Sequence, residues 1–150
     1  MNTQQNHASI LIVEDNPLVL GIHADMIRDI HSEPDMAATG HGALLQVRQN
    51  PPYRIIFMDI GLPDIDGIEV AAQIRALELT GHRKAVIIGL TGLDIADVEA
   101  ECLAAGMNLV LTKPISQEKM KQLIDAYMPK KVKLSIVRTD DDLATAAETV

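Results

Sequence analysis

Short apolar runs alternate with amphipathic segments along most of the chain. Five of these runs have the length of strands and are mostly apolar, as in strands buried on both faces of a sheet. They are residues 10–13, 35–38, 55–58, 85–90 and 109–111. Between them, apolar residues recur every three or four positions, which is typical of helices that bury one face. Five alternations predict an α/β fold with a doubly wound, five-stranded parallel sheet, (βα)5.

Capping residues mark where the helices begin. Asn16 before Pro17 is one such site, and Asp94 and Ser116 are two more. The periodic apolar residues then predict the buried face of each helix. These faces are Ile22, Met26 and Ile30; Ala43, Leu44 and Val47; Val70, Ala71, Ile74 and Leu77; Val98 and Cys102; and Met120, Leu123, Ile124 and Tyr127.

The pattern defines one domain with an extension at each end. Residues 1–8 are a polar amino-terminal extension, and residues 9–128 carry all the alternations. After Pro129, lysines and then three consecutive aspartates replace the apolar period. We predict that residues 129–150 are a linker or a disordered tail.

Composition narrows the range of partners and compartments. A formal net charge of −8 argues against nucleic acid or an anionic membrane as the main partner, because both require a basic surface. The amino terminus lacks the segments of a signal peptide, and no apolar run approaches the ~18 residues of a membrane span. A single cysteine, Cys102, suits a reducing compartment. We expect a cytoplasmic domain without membrane contact.

Polar residues follow the predicted strands at their carboxyl ends. Glu14 and Asp15 follow the first strand, Asp59 the third, Thr91 the fourth and Lys113 the fifth. In an open parallel sheet these ends meet at one edge, where ligands bind. Three carboxylates brought together repel one another unless a cation lies among them, and Mg²⁺ with its oxygen ligands fits best. Mg²⁺, an ammonium and a hydroxyl would favour a phosphoryl group, with a carboxylate as nucleophile.

These residues resemble those of the response-regulator receiver domain of two-component signalling, from about Ser9 to Tyr127. The resemblance is carried by the acidic pair at 14–15 and by residues 58–67, Met-Asp-Ile-Gly-Leu-Pro-Asp-Ile-Asp-Gly. Thr91-Gly92 and Lys113-Pro114 complete it, in the family's order and spacing. The resemblance implies the flavodoxin-like receiver fold with strand order 2-1-3-4-5, for which a receiver protein is itself the standard example.

The same resemblance implies a role for each site residue. Asp59 would accept a phosphoryl group from a phosphohistidine on a histidine kinase or a histidine phosphotransfer domain, forming an acyl phosphate. Lys113 and Thr91 would contact the phosphoryl oxygens, and the bond before Pro114 would be cis. A weak homodimer is a further expectation.

The metal site implied by the family consists of four oxygen donors. The side chains of Glu14, Asp15 and Asp59 and the backbone carbonyl of Gly61 would hold Mg²⁺.

Two features depart from the family pattern. Val110 stands where the family commonly has an aromatic switch residue, so coupling to the output face is expected to differ. Gly61 and Leu93 occupy the positions that tune attack by water, and neither side chain can position a water molecule. We therefore expect slow autodephosphorylation.

Alternative functions remain open from the sequence. A Mg²⁺-dependent phosphatase with an aspartate nucleophile would carry a second aspartate at position 61, where this chain has Gly61. A docking-only pseudo-receiver is a third reading, and a flavin-binding role lacks a phosphate-cradling loop after the first strand. The five histidines show no metal-ligand spacing, and we expect them to lie at the surface.

The sequence around Gly106 and Lys113 resembles that of receiver domains within hybrid sensor histidine kinases. We expect that origin, on the cytoplasmic side of the membrane, with a stand-alone response regulator as the alternative. We expect no DNA-binding domain within residues 128–150, after Tyr127.

Overall fold

A computed structural model describes residues 8–50, 52–81 and 84–128. Strands and helices alternate through this part of the chain. The elements are β1 (Ile10–Val13), α1 (Pro17–Ile30), β2 (Asp35–Ala37), α2 (Gly40–Gln49), β3 (Ile55–Asp59), α3 (Gly67–Glu78), β4 (Val86–Thr91), α4 (Ile95–Ala104), β5 (Leu109–Thr112) and α5 (Gln117–Tyr127). All strand pairs are parallel, in the order β2-β1-β3-β4-β5, which confirms the predicted fold class.

The sheet separates two apolar clusters. Successive side chains of a strand point to opposite faces, so Leu11 and Val13 of β1 pack on one face and Ile10 and Ile12 on the other. Helices α2, α3 and α4 cover the first face, and α1 and α5 cover the second. Both faces of the central strands are therefore buried, which explains why their sequences read as continuous apolar runs.

Most local predictions are confirmed. Asn16, Asp94 and Ser116 each accept a hydrogen bond from a backbone N–H in the first turn of α1, α4 and α5. Gly81 and Gly106, which follow α3 and α4, have φ angles of +113° and +109°, a region that favours glycine. The strand bounds differ from the predicted ones by about a residue, and Thr91 is the last residue of β4.

The predicted inner face of α1 is confirmed for Met26 and Ile30, which are partly buried against the second cluster, and is wrong for Ile22. Ile22 is 41% exposed, whereas His23, Ala24 and Ile27 are buried. Because α1 carries apolar residues on two adjacent stripes, periodicity alone selected the stripe without a histidine. The inner faces of α2, α3 and α5 are buried as predicted, with Leu77 and Tyr127 partly buried at their edges.

Among the described residues, no helix combines the length and the apolar character needed to cross a membrane. The proposed extensions, residues 1–8 and 129–150, fall almost entirely outside the described ranges.

Candidate functional site

The carboxyl ends of β1 and β3 bring three carboxylates together. One oxygen from each of Glu14, Asp15 and Asp59 can be chosen so that all three lie within 4.8 Å of one another. Glu14 and Asp59 are buried, and Asp15 is exposed. The group therefore has two fixed members under the surface and one that faces solvent.

Lys113 joins the two buried carboxylates. Its Nζ atom lies 3.1 Å from Glu14 Oε1 and 3.2 Å from Asp59 Oδ1, and its side chain is 20% exposed. Burial opposes the charge of this ammonium, but the ion pairs outweigh burial and raise the pKa of Lys113. Lys113 is therefore a cation held at the site.

Glu14 is in an unfavourable environment for a charge. Burial raises its pKa, the Asn16 N–H that donates to Oε2 lowers it, and the nearby charge of Asp59 raises it further. One ammonium thus faces three carboxylates, so a further cation would relieve the repulsion that remains.

The two oxygens of Asp59 differ in their hydrogen bonding. Oδ1 accepts from the backbone N–H of Gly61 at 2.9 Å and faces Lys113. Oδ2 is buried and has no hydrogen-bond partner among the described residues. A buried carboxylate oxygen without a partner is costly, so its presence indicates a position where a ligand or a reacting group binds.

Thr91 lies at the end of β4, next to β3. The register pairs Asp59 with Leu90, which places Thr91 one residue beyond Asp59. Thr91 is buried, and its Oγ1 accepts from the backbone N–H of Leu93 at 2.9 Å. At Gly92 an added Cβ would meet no atom within 4 Å, so the approach beside Thr91 is open.

The loop after β3 is held at its far end and at its middle. A Cβ at Gly67 would lie 2.2 Å from the carbonyl oxygen of Asp59, so only glycine fits without a shift of the backbone. Midway along the loop, Asp64 accepts from the backbone N–H groups of His41 and Gly40 at 2.9 and 2.8 Å. Both hydrogen bonds lower the pKa of Asp64 to about 2, and the one from the His41 N–H has the larger effect. Gly61 is therefore on a loop tied to α2.

The remaining predicted positions lie on β5 and after it. The bond between Lys113 and Pro114 is cis. Val110 is buried in the cluster beneath α3 and α4 and is paired in register with Gly89. Leu93 is 64% exposed.

The sequence did not reveal the position of His23. We expected surface histidines, and this expectation is wrong for His23, which is completely buried; His31 and His41 are exposed, while His7 and His82 are outside the described residues. Its Nε2 accepts from the backbone N–H of Ile115 at 3.1 Å. In the sequence, His23 lies three residues after Leu20 and four before Ile27. This spacing places it on the same helix face as these two apolar residues and indicates burial.

The sequence of this chain is similar to sequences of known proteins. Residues 10–125 match the family model of the response regulator receiver domain. The signal transduction histidine-protein kinase BarA of Escherichia coli is 31% identical over 121 residues, which cover 81% of this chain and 13% of that kinase. The chain therefore spans about an eighth of the length of this curated relative.

Two solved structures are similar in fold. One is the receiver domain of the sensor histidine kinase PA1611 from Pseudomonas aeruginosa, with a magnesium ion in its active-site cleft; it is 31% identical, with a TM-score of 0.72, over 81% of this chain and 98% of that one. The other is the receiver domain of Ssk1 from Saccharomyces cerevisiae, crystallised with the histidine phosphotransfer protein Ypd1. It is 28% identical, with a TM-score of 0.73, over 80% of this chain and 88% of that one.

The fold, the site and these matches define the class of protein. The chain belongs to the response-regulator receiver domains of two-component signalling, and its relatives include receiver domains of histidine kinases.

Proposed function

We propose that Asp59 is the phosphoacceptor of a two-component phosphorelay. The observation that carries the proposal is the buried Oδ2 of Asp59, which has no hydrogen-bond partner in the part of the chain that the structure describes. Lys113 and the Gly61 N–H hold the adjacent Oδ1 in place. One oxygen is thus fixed, and the other is left to react.

The reaction moves a phosphoryl group between two side chains. A carboxylate oxygen of Asp59 forms a bond to phosphorus, and the phosphorus–nitrogen bond of a partner's phosphohistidine breaks. The imidazole leaves with the electron pair of that bond and takes up a proton from solvent when the pH of the solution favours the imidazolium. Lys113 would neutralise charge on the transferring group, and the Thr91 hydroxyl would exchange its bond with the Leu93 N–H for one to a phosphoryl oxygen.

The residues present fit a magnesium ion. Glu14, Asp15, Asp59 and the Gly61 carbonyl supply only oxygen donors, and a cation could contact Asp59 Oδ2, which has no hydrogen-bond partner within residues 8–50, 52–81 and 84–128. When bound, Mg²⁺ would neutralise charge at the phosphoryl oxygens. The ion bound to the PA1611 receiver supports the same assignment here.

The partner would be a histidine kinase or a histidine phosphotransfer domain, as Ypd1 is for Ssk1. We propose that this domain is a module of a hybrid sensor histidine kinase and acts on the cytoplasmic side of the membrane. It would catalyse only its own phosphorylation and dephosphorylation. The phosphoryl group of the acyl phosphate would be passed to a further protein, or the acyl phosphate would change which partners the domain binds. Because Val110 stands in place of an aromatic switch residue, this change would differ from that in receivers with an aromatic residue there.

The mass of the intact protein tests the proposal. Incubation with acetyl phosphate or phosphoramidate should add one phosphoryl group in Mg²⁺ and none in excess chelator. Asp59→Asn should abolish the addition, whereas the exposed Asp97→Asn should leave it unchanged. Decay of the added mass in Mg²⁺ should be slow, since Gly61 and Leu93 place no polar side chain near the acceptor.

Three results would contradict this account. No addition to the folded wild type would indicate a docking-only pseudo-receiver, and addition to Asp59→Asn would indicate another acceptor. A phosphoryl lifetime of seconds would contradict only the expectation of slow decay and would leave the assignment of Asp59 intact.

A further inference from the structure

We propose that His23, which lies on α1, is a positioning residue that holds the segment from Lys113 to Ile115 and thereby fixes Lys113 against Asp59. The inference rests on the proposed function of the site, because Lys113 matters there only if Asp59 accepts a phosphoryl group.

The geometry fixes this segment on both sides of Lys113. On one side, the backbone N–H of Lys113 donates to the carbonyl of Thr91 at 2.8 Å. On the other, the N–H of Ile115 donates to His23 Nε2 at 3.1 Å, across 92 residues of sequence. Ile115 is itself only 3% exposed. The first anchor continues the β4–β5 ladder, and the second is a single side chain.

The hydrogen bond also defines the state of the imidazole. Nε2 can accept only without a proton, so the neutral ring carries its proton on Nδ1. Nδ1 is buried and has no partner among the described residues. Burial and the charge of Lys113 lower the pKa of His23, which favours the neutral ring that the bond requires.

The charged groups on the surrounding elements do not favour the protonated ring. The other charged side chains of α1, including Asp25, Arg28 and Asp29, and those in the first turn of α5 are exposed. Lys113 is the charged side chain that acts on the pKa of His23, and it repels a second cation. Protonation would also set an N–H of the ring against the N–H of Ile115.

Packing alone does not account for His23. An aliphatic side chain would fill the same space, but it would leave the buried Ile115 N–H unpaired. This difference separates a positioning role from a purely structural one and provides the variants for a test. Glutamine can place its Oε1 near the position of Nε2, whereas leucine has similar bulk and no acceptor.

Nuclear magnetic resonance on the full chain tests the contact first. His23 should show the Nδ1–H tautomer. In His23→Leu, exchange of the Ile115 amide should accelerate about tenfold, as expected for one lost hydrogen bond, and the Cε and Nζ resonances of Lys113 should move. His23→Gln should restore both signals towards wild type. Val47→Ala, in the opposite cluster, supplies a destabilised control in which the Lys113 resonances should not move, and it measures how much of any faster exchange comes from lost global stability.

Phosphorylation by acetyl phosphate in saturating Mg²⁺ is the second readout. The maximal rate should fall about tenfold in His23→Leu, with a smaller change in the half-saturating donor concentration, because the bound geometry and not donor capture is affected. His23→Gln should recover most of the rate, and Val47→Ala should keep it.

Stability against pH gives an independent signature of the neutral ring. The folded pKa of His23 lies below its ordinary value near 6.5, so the unfolded chain binds more protons just below that pH. The wild type should therefore lose stability as pH falls through that region, and His23→Gln should lose less.

The outcomes separate this inference from the proposed function. Unchanged Lys113 resonances in His23→Leu, or a proton on Nε2, would overturn the positioning role even if Asp59 is phosphorylated. If the Lys113 resonances move in His23→Leu but the wild type accepts no phosphoryl group, the contact is confirmed and the proposed function is wrong. If His23→Leu fails to fold, His23→Asn, whose amide is too short to reach Ile115, replaces it in the same comparison with His23→Gln.

Discussion

At the scale of single residues, the site depends on atoms that approach Asp59 closely. Glu14 and Lys113 approach it from the segments that follow β1 and β5, and Gly67 meets its backbone from the following helix. The glycine has no chemistry of its own, yet its missing side chain allows the chain to turn back against Asp59. The close packing of Gly67 against the backbone of Asp59 therefore also determines where the acceptor side chain lies.

Substitution of Gly67 tests this coupling. In Gly67→Ala, the new Cβ would meet the Asp59 carbonyl oxygen at 2.2 Å and the Ile60 Cα at 2.7 Å, both backbone atoms that cannot rotate away. We expect unfolding free energy to fall by about 1–3 kcal/mol, measured by urea denaturation, and the rate of phosphorylation to fall as well.

Gly21→Ala is the matched control for Gly67→Ala. Gly21 lies on the exposed side of α1, and an added Cβ meets no atom within 4 Å. Because alanine is the better helix former, this variant should gain about 0.5–1 kcal/mol and phosphorylate normally. Equal effects of the two substitutions would refute the steric explanation.

At the scale of elements, the amino-terminal edge of the sheet is held by a partly buried ion pair. Arg75 on α3 contacts Glu78 at 2.8 Å, and their side chains are 16% and 10% exposed. Arg75 also donates to the carbonyls of Ala85 and Gly106 and to the Asn108 side chain, all within 2.8–2.9 Å. One guanidinium thus joins α3 to the segments that enter β4 and β5.

Arg75→Met should destabilise the fold without altering the site. It leaves the partly buried Glu78 without its cation and removes the three further hydrogen bonds of Arg75, and we expect a loss of about 2–4 kcal/mol in urea unfolding at neutral pH. Phosphorylation of the folded protein should be unchanged, because the network is at the edge of the sheet opposite Asp59.

Arg28→Met serves as the comparison for Arg75→Met. Its partners Asp25 and Glu33 are exposed, so this substitution should leave urea unfolding nearly unchanged. A phosphorylation defect in folded Arg75→Met would show that the two edges of the sheet are coupled.

Sequence patterns predicted the elements and the acidic residues because both are local properties. A strand's apolar run and the polar residue at its end are adjacent in sequence, so Asp59 and Thr91 could be placed at one edge before any contact was known. The contacts of His23 and Arg75 could not be predicted in this way. The partner of His23 lies 92 residues away, and Gly106 and Asn108, two of the partners of Arg75, lie more than 30 residues away. Whether a polar residue is buried depends on such distant partners.

At the scale of the whole molecule, electrostatics and folding meet at the acidic edge. The chain carries 21 acidic and 13 basic side chains, yet three of its carboxylates are gathered with one lysine at one point of the sheet. Repulsion among them opposes folding, and burial of Glu14 adds to that cost. The folded state should therefore bind a divalent cation more tightly than the unfolded chain does, and this difference links metal binding to global stability.

Thermal unfolding measures this linkage without any phosphodonor. Saturating Mg²⁺, against a potassium salt of equal ionic strength, should raise the unfolding midpoint by several degrees, since a ligand at a hundredfold its dissociation constant adds about 2.7 kcal/mol. Asp15→Asn should lose most of the shift. Glu99→Gln, which removes the same charge from an exposed position on α4, should keep it. An equal response of both variants would mean that Mg²⁺ acts by screening the net charge of −8 and not by binding at the three carboxylates.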